Sequence, residues 1–394
     1  MHNTTGVKPS SGSMLTDPKA RALLFQVLSV CTVVGIGWYL FHNTQTNLAQ
    51  RGITSGFGFL NNTAGFGILQ SLIEFSPTDT YGRVFFIGLL NTLLVSVLGI
   101  FFATVIGFII GIARLSPNWL ISRLAAVYIE IFRNIPPLLQ IFFWYFAVLR
   151  AMPGPRDSFA LSDVFFLNIR GLYVPEPTAT PAFWAFALAL LLALGGAWEL
   201  ARRARSLKIT TGQEFPVFFS SLALLVILPG LSILVFGKPF TWTLPELRGF
   251  NFVGGMVIIP ELFAITLALT IYTAAFIAET VRSGIQSVSH GQTEAARSLG
   301  LRPKHMLRLV IIPQAMRVII PPLTSQYLNL VKNSSLAAAI GYPDLVSLFA
   351  GTVLNQTGQA IETIAITMSV YLAISLTISF LMNIYNKRIA LIER

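Results

Sequence analysis

Long apolar runs separated by polar connections recur along the chain, at about 22–41, 84–113, 124–149, 182–200, 216–236, 258–280, 308–330 and 361–385. Most come close to the roughly 20 residues with which an α-helix crosses about 30 Å of hydrocarbon. Backbone polar groups find no water in that layer, so eight membrane-spanning helices are predicted, each satisfying its own hydrogen bonds. The third and seventh runs are less regular, since both contain charges and proline pairs. About twenty residues precede the first run and no small-x-small site follows it, which predicts a retained anchor rather than a cleaved signal peptide.

Composition agrees with this pattern. The 394 residues are 54% apolar and 11% charged, with mean hydropathy +0.70, whereas roughly a quarter of a soluble domain is charged. The net charge of +11 does not point to nucleic acid, because the basic residues lie in short clusters beside apolar runs. If the amino terminus is inside, seventeen Lys and Arg fall on the cytoplasmic side, including Arg202, Arg203, Arg205, Lys208, Arg297 and Arg302, and eight fall outside. That bias predicts that both termini are cytoplasmic, as an even number of spans requires. The lone Cys31 lies in an apolar run and is expected to act as a small buried hydrophobe.

The outer connections 42–83 and 150–181 are rich in Gly, Asn, Thr or Pro and are expected to be loops that cap the outer face or meet an external partner. In 237–257, Trp242 and Phe250 are expected at the lipid interface. Asp344, in a re-entrant or interfacial segment at 336–360, is expected to be exposed.

One polar stretch is too long and too structured for a simple turn. From Glu279 to Arg308 it contains Ser289 and Gln292 at capping-box spacing, Gly300 as a left-handed stop and Pro303 as a first-turn residue. Two short helices joined by a tight bend are predicted. Ala295, Ala296 and Leu299 share a low face rimmed by Glu294, Arg297 and Arg302. Such a ridge suits either insertion into a groove of another protein or an amphipathic helix lying on lipid.

Glu294-Ala295-Ala296, Gly300, Val310, Ile312 and Pro313 resemble the "EAA" loop of ABC importer permeases. The resemblance extends through 272–285, 313–322, Asn329–Gly341, Gly88–Leu93 and Tyr128–Pro136. It is to the polar amino-acid branch, with Val310 and Ile312 as conservative departures. The extra first span and the pair at 182–236 are similar to the first permease subunit of general L-amino acid importers. This resemblance implies an all-α polytopic fold of the type I ABC importer kind. Residues 1–83 would form an amino terminus, anchor and periplasmic loop, and 84–394 the permease domain with an accessory pair at about 182–236 and a coupling loop at about 281–308.

The implied partners are a second permease, a dimer of ATP-binding subunits and a periplasmic amino-acid-binding protein. ATP and Mg would be held by the ATPase, with no cofactor on this chain and an L-amino acid as cargo. The ATPase-docking residues would be Glu294, Ala295, Ala296, Arg297, Gly300 and Arg302.

Glu130, Arg133, Pro136, Glu279, Pro313 and Arg317 are candidates for gating or packing, since charges and prolines near spans mark polar paths or kinks. No residue is singled out as a substrate ligand. There is no GxxxxGK[ST] or HExxH pattern, so neither ATPase nor zinc-enzyme activity is expected of this chain. An ion-coupled secondary transporter is the alternative, but it leaves the polar helices near 289–305 without a use.

Overall fold

The computed structural model describes residues 18–50, 56–212 and 215–389. The expected cytoplasmic segment 1–17 lies outside the described residues. Chain order begins with α1 (Pro18–Gln50), α2 (Tyr81–Ala113), α3 (Trp119–Asn134) and α4 (Pro137–Phe142), which continues as a wider π turn over Phe143–Leu149. The strands β1 (Phe159–Leu161), β2 (Phe165–Asn168), β3 (Gly171–Val174) and β4 (Glu176–Ala179) follow. Next come α5 (Ala182–Thr211), α6 (Val217–Phe236), β5 (Phe240–Thr243), β6 (Glu246–Arg248), β7 (Asn251–Val253) and β8 (Met256–Ile258). The last part contains α7 (Pro260–Gln286), α8 (His290–Ser298), α9 (Pro303–Met306), α10 (Ile312–Asn333), α11 (Leu354–Thr357) and α12 (Ala360–Ile389).

Among the described residues, seven helical segments are long and apolar enough to span a membrane. The run expected as the third span, 124–149, is not one helix. Pro136 has no N–H to donate and its ring excludes a continuous helix, so α3 ends at Asn134 and α4 restarts at Pro137. The break leaves carbonyls without helical partners. Gln140 answers two of them, its Nε2 donating to Phe132 O and Ile135 O at 3.0 Å each.

The core is built around α7, with Ile265, Leu269 and Ile277 packed among Ile141, Ile319 and Leu330. Small residues let α2 approach closely. A Cβ on Gly107 would fall 2.6 Å from Ile277 Cβ, and one on Gly111 would fall 2.7 Å from Ala278 O. This four-residue spacing of glycines is how apolar helices gain dispersion contacts when lipid offers no hydrophobic drive for them to associate.

The outer connections are more ordered than the sequence predicts. β1, β2, β3 and β8 form one antiparallel sheet, while β4 pairs with β5 and β6 with β7. β4 and β5 form the base from which α5 and α6 project, so the accessory pair is an excursion from a two-stranded ladder. The strands are only three or four residues long, and the β3–β8 and β4–β5 pairings reach across the whole excursion, which hides those pairings from local patterning. The 42–83 connection also contributes to packing, with Phe59 and Ala64 buried beside Val84, Ile87 and Phe349.

α5 and α6 pack on each other, with Leu224 against Gly196. None of the apolar window of α1 is buried. Cys31 is correspondingly exposed rather than buried.

Candidate functional site

The polar stretch forms the two short helices α8 and α9 with the bend predicted between them. Ser289 occupies the N-cap position with extended backbone, but its side chain makes no capping bond. Gln292 instead accepts from Gln314 Nε2 at 3.1 Å and so links α8 to α10. At the other end, Gly300 has φ 71°, its N–H donates to Arg297 O, and Leu301 N–H donates to Ala296 O. These two bonds satisfy carbonyls left over at the helix end and fix the direction of the bend. Pro303 starts α9 as predicted.

The predicted docking residues do not all share one environment. Ala296 is buried at 3% exposure and is the buried residue of α8; it seats the helix on its own chain, where α8 packs on the Leu307–Ile311 turn. Glu294, Ala295, Arg297, Gly300 and Arg302 are exposed. Leu299 joins them, 81% exposed, as an apolar group on a charged rim. Glu294 also pairs with His290 Nδ1 at 3.0 Å.

A second polar site lies where α2, α3 and α7 meet. A cavity of about 360 Å³ is lined by Arg114, Glu130, Arg133, Asn134, Glu279 and Arg282, with Ala126 and Ile129 completing it. Arg282 grips Glu279 with two bonds, Nε–Oε2 at 3.0 Å and Nη2–Oε1 at 2.5 Å, and also reaches Gln286 at 2.6 Å. Arg133 stacks over the Phe276 ring at 5.2 Å, and Arg114 donates to Ser122 Oγ at 3.0 Å. Three guanidiniums and two carboxylates therefore face one space, a set chemically able to pair with both ends of a zwitterion.

The structure thus brings together Glu130, Arg133 and Glu279 of the gating candidates. Pro136 lies at the α3–α4 break just beyond them. Pro313 and Arg317 lie on α10, outside the cavity lining. The sequence reading did not include Arg114, whose only local signal is its place at the end of an apolar run.

A third polar node ties α2 to the connection between the last two spans. Asn91 Nδ2 donates to Pro343 O at 2.9 Å and to Gln70 O at 3.0 Å, and Thr92 Oγ1 accepts from Leu345 N–H at 3.0 Å. Gly88 permits this approach, since a Cβ there would be 2.9 Å from Leu345 Cα. Asp344, expected at the surface, is instead 1% exposed. It accepts from Ser347 N–H at 2.8 Å and from Tyr371 OH at 3.3 Å. Burial pushes its carboxyl up to about 7, against the lowering effect of these hydrogen bonds. At the sheet end of α7, Tyr145 OH donates to Glu261 Oε1 at 2.7 Å, which gives that acid a partner.

Residues 103–391 match the family of binding-protein-dependent transport system inner membrane components. Over its full length the chain is 63% identical to a putative amino-acid ABC transporter permease protein, YhdX, of Escherichia coli K12, covering 100% of both chains. It is 52% identical to the general L-amino acid transport system permease protein AapQ of Rhizobium johnstonii, over 97% of this chain and 95% of that one. A solved amino acid ABC transporter with histidines aligns with a TM-score of 0.47 at 22% identity, covering 78% of this chain and 95% of that one.

Proposed function

The chain belongs to the family of binding-protein-dependent transport system inner membrane components, and from that premise we propose that it is a permease subunit of an ATP-driven importer of L-amino acids with broad specificity. It sits in the bacterial inner membrane with both termini in the cytoplasm. A second permease completes the path and a periplasmic amino-acid-binding protein delivers the cargo. ATP and Mg are bound and turned over by a separate dimer of ATP-binding subunits.

The observation that carries this reading is the construction of α8. Its buried Ala296 and the Gln292–Gln314 bond fix it to the body, while Glu294, Ala295, Arg297 and Leu299 face outward. A push on that face is transmitted to α10 rather than absorbed by a loose turn. The mixed-charge cavity among α2, α3 and α7 serves as the polar gate, opening and closing as α7 and α10 move. A ligand shifts such an equilibrium only through different affinities for its two states.

The test is uptake by proteoliposomes holding the reconstituted complex. ATP inside the ATPase-accessible compartment, with binding protein on the other side, is expected to drive accumulation of several L-amino acids. Accumulation driven by an ion gradient with the ATPase omitted would overturn the proposal. Competition among amino acids measures the breadth of the range, and a single competing species would overturn the broad-specificity part alone.

A further inference from the structure

The sheet formed by β1, β2, β3 and β8 has two faces of different chemistry. Directly opposed residues of antiparallel strands share a face, and successive residues of a strand alternate between faces. Phe159 pairs with Leu167 and Leu161 with Phe165, Leu167 pairs in turn with Leu172, Leu172 with Ile258, and Val174 with Met256. Every paired position on this face is therefore apolar.

The reverse face carries Ala160, Phe166, Tyr173 and Val257, and the β6–β7 hairpin covers it. Phe252 of the hairpin meets the rings of Phe166 at 4.6 Å and Tyr173 at 4.7 Å, and Tyr173 OH donates to Asn251 Oδ1 at 3.2 Å. The hairpin also brings charge, with Arg248 paired to Glu246 at 2.9 Å and Arg156 over the Phe250 ring at 4.2 Å.

The apolar face has no such cover. Phe159 and Leu161 are 63% and 68% exposed, and Phe165 and Met256 are exposed as well. Its inner end is packed, where Ile258 sits against the core and lines a groove of about 360 Å³ with Leu98, Phe102, Ile106 and Phe263. That groove runs along two candidate spans, α2 and α7, so the sheet face continues an apolar flank of the membrane-crossing helices. Chain position agrees: Ile258 lies two residues before Pro260 starts α7, which sets the sheet at the end of that helix away from α8.

We propose that the apolar face of this sheet lies on the bilayer, in the interfacial layer of the leaflet at that end, with Phe159, Leu161 and Phe165 against acyl chains and the β6–β7 hairpin in water. An apolar face backed by a charged one matches the boundary between hydrocarbon and water. Full immersion is ruled out, because β1 is an edge strand whose free backbone groups need water or headgroups. A docking protein is ordinarily met by polar groups around an apolar centre, and no paired position of this face supplies one. Phe250, under Arg156 on the hairpin, is then held away from the lipid expected for it. Because β8 leads directly into α7, a sheet seated in this way sets the depth of the helix around which the core is built. The inference rests on the spans and not on the cargo or the source of drive.

The test is spin labelling of the full-length protein, isolated with its partner subunits and reconstituted in vesicles of phosphatidylethanolamine and phosphatidylglycerol. Cys31→Ser removes the one native cysteine, and Phe159→Cys, Ala160→Cys and Leu161→Cys then place a nitroxide on alternate faces of β1. Oxygen concentrates in hydrocarbon while a nickel chelate stays in water, so the ratio of their collision rates reports what surrounds each label. The oxygen-to-nickel ratio is expected to be severalfold higher at 159 and 161 than at 160. Met256→Cys, on the same face at the opposite edge of the sheet, is expected to match 159 and supplies an independent reading should β1 not tolerate a label.

Equal ratios at 159, 160 and 161 would overturn the proposal, since the face would then share one medium with its reverse. Labels at 159 and 161, or at 256, shielded from both oxygen and nickel would also overturn it, by showing that a protein surface covers the face.

Discussion

The side chain of Asn91 in α2 and the carbonyl of Pro343 are joined at 2.9 Å, across 252 positions of sequence. The same Nδ2 holds Gln70 O at 3.0 Å, so one amide anchors two outer connections to one helix. Asn91→Ala would leave both carbonyls without that donor in a buried setting. The expected loss is about 1–3 kcal/mol, read as a lower thermal unfolding midpoint of the purified protein. An unchanged midpoint would show that the carbonyls find other partners.

Asp344 makes the same region sensitive to pH. Its carboxyl rises from an ordinary 3.8 to about 7 on folding. The folded state therefore binds the proton more tightly than the unfolded state, and the associated stability is fully present below about 3.8 and lost as pH rises through about 7. Asp344→Asn removes that titration while keeping an acceptor for Ser347. The midpoint of wild type relative to D344N is expected to fall between pH 5 and pH 8. A difference that stays constant across this range would count against a raised carboxyl.

Gly107 sits where a Cβ would meet Ile277 at 2.6 Å. Gly107→Val must separate α2 from α7 or distort Ile277, with an expected cost of about 1–3 kcal/mol from overpacking. Gly35 of α1 has nothing within 4 Å, and Gly35→Val is the matched control. Equal thermal midpoints for the two variants would rule out the close crossing.

The α8–α9 bend was legible in the sequence because its signals are local: Gly300 takes a positive φ and Pro303 begins a helix. Ser289 shows the limit of such reading. Its cap position is correct, but the expected side-chain bond is absent, while Gln292 bonds to Gln314 of a different helix. The long spans were legible from length and hydropathy, and the weakness of the third was visible in Pro136 and Pro137. The pairing of β3 with β8 was not, because Leu172 meets Ile258 only after the α5–α6 excursion brings the two together. Asp344 looked like a loop residue for the same reason: its burial depends on α2 and α12, which no neighbouring residue announces.

Ala295 and Ala296 are adjacent and chemically identical, yet α8 turns one outward and buries the other. If the outward face docks an ATPase, a large group at 295 must block contact without disturbing the chain itself. Ala295→Cys modified with a bulky maleimide is therefore expected to keep the thermal midpoint of the subunit and to abolish ATP-driven uptake. Ala296→Leu adds volume at a buried site, so it is expected to lower the midpoint by an amount reflecting about 1–3 kcal/mol and to reduce uptake only as far as folded protein is lost. Arg297→Cys and Leu299→Cys, both on the exposed rim, should crosslink to the ATP-binding subunit in intact membranes. Uptake that survives the bulky label at 295, together with no crosslink from 297 or 299, would show that this face meets lipid or water instead. The paired alanines let one experiment separate the two roles: the inner one is buried in its own chain, and the outer one lies open on the face under test.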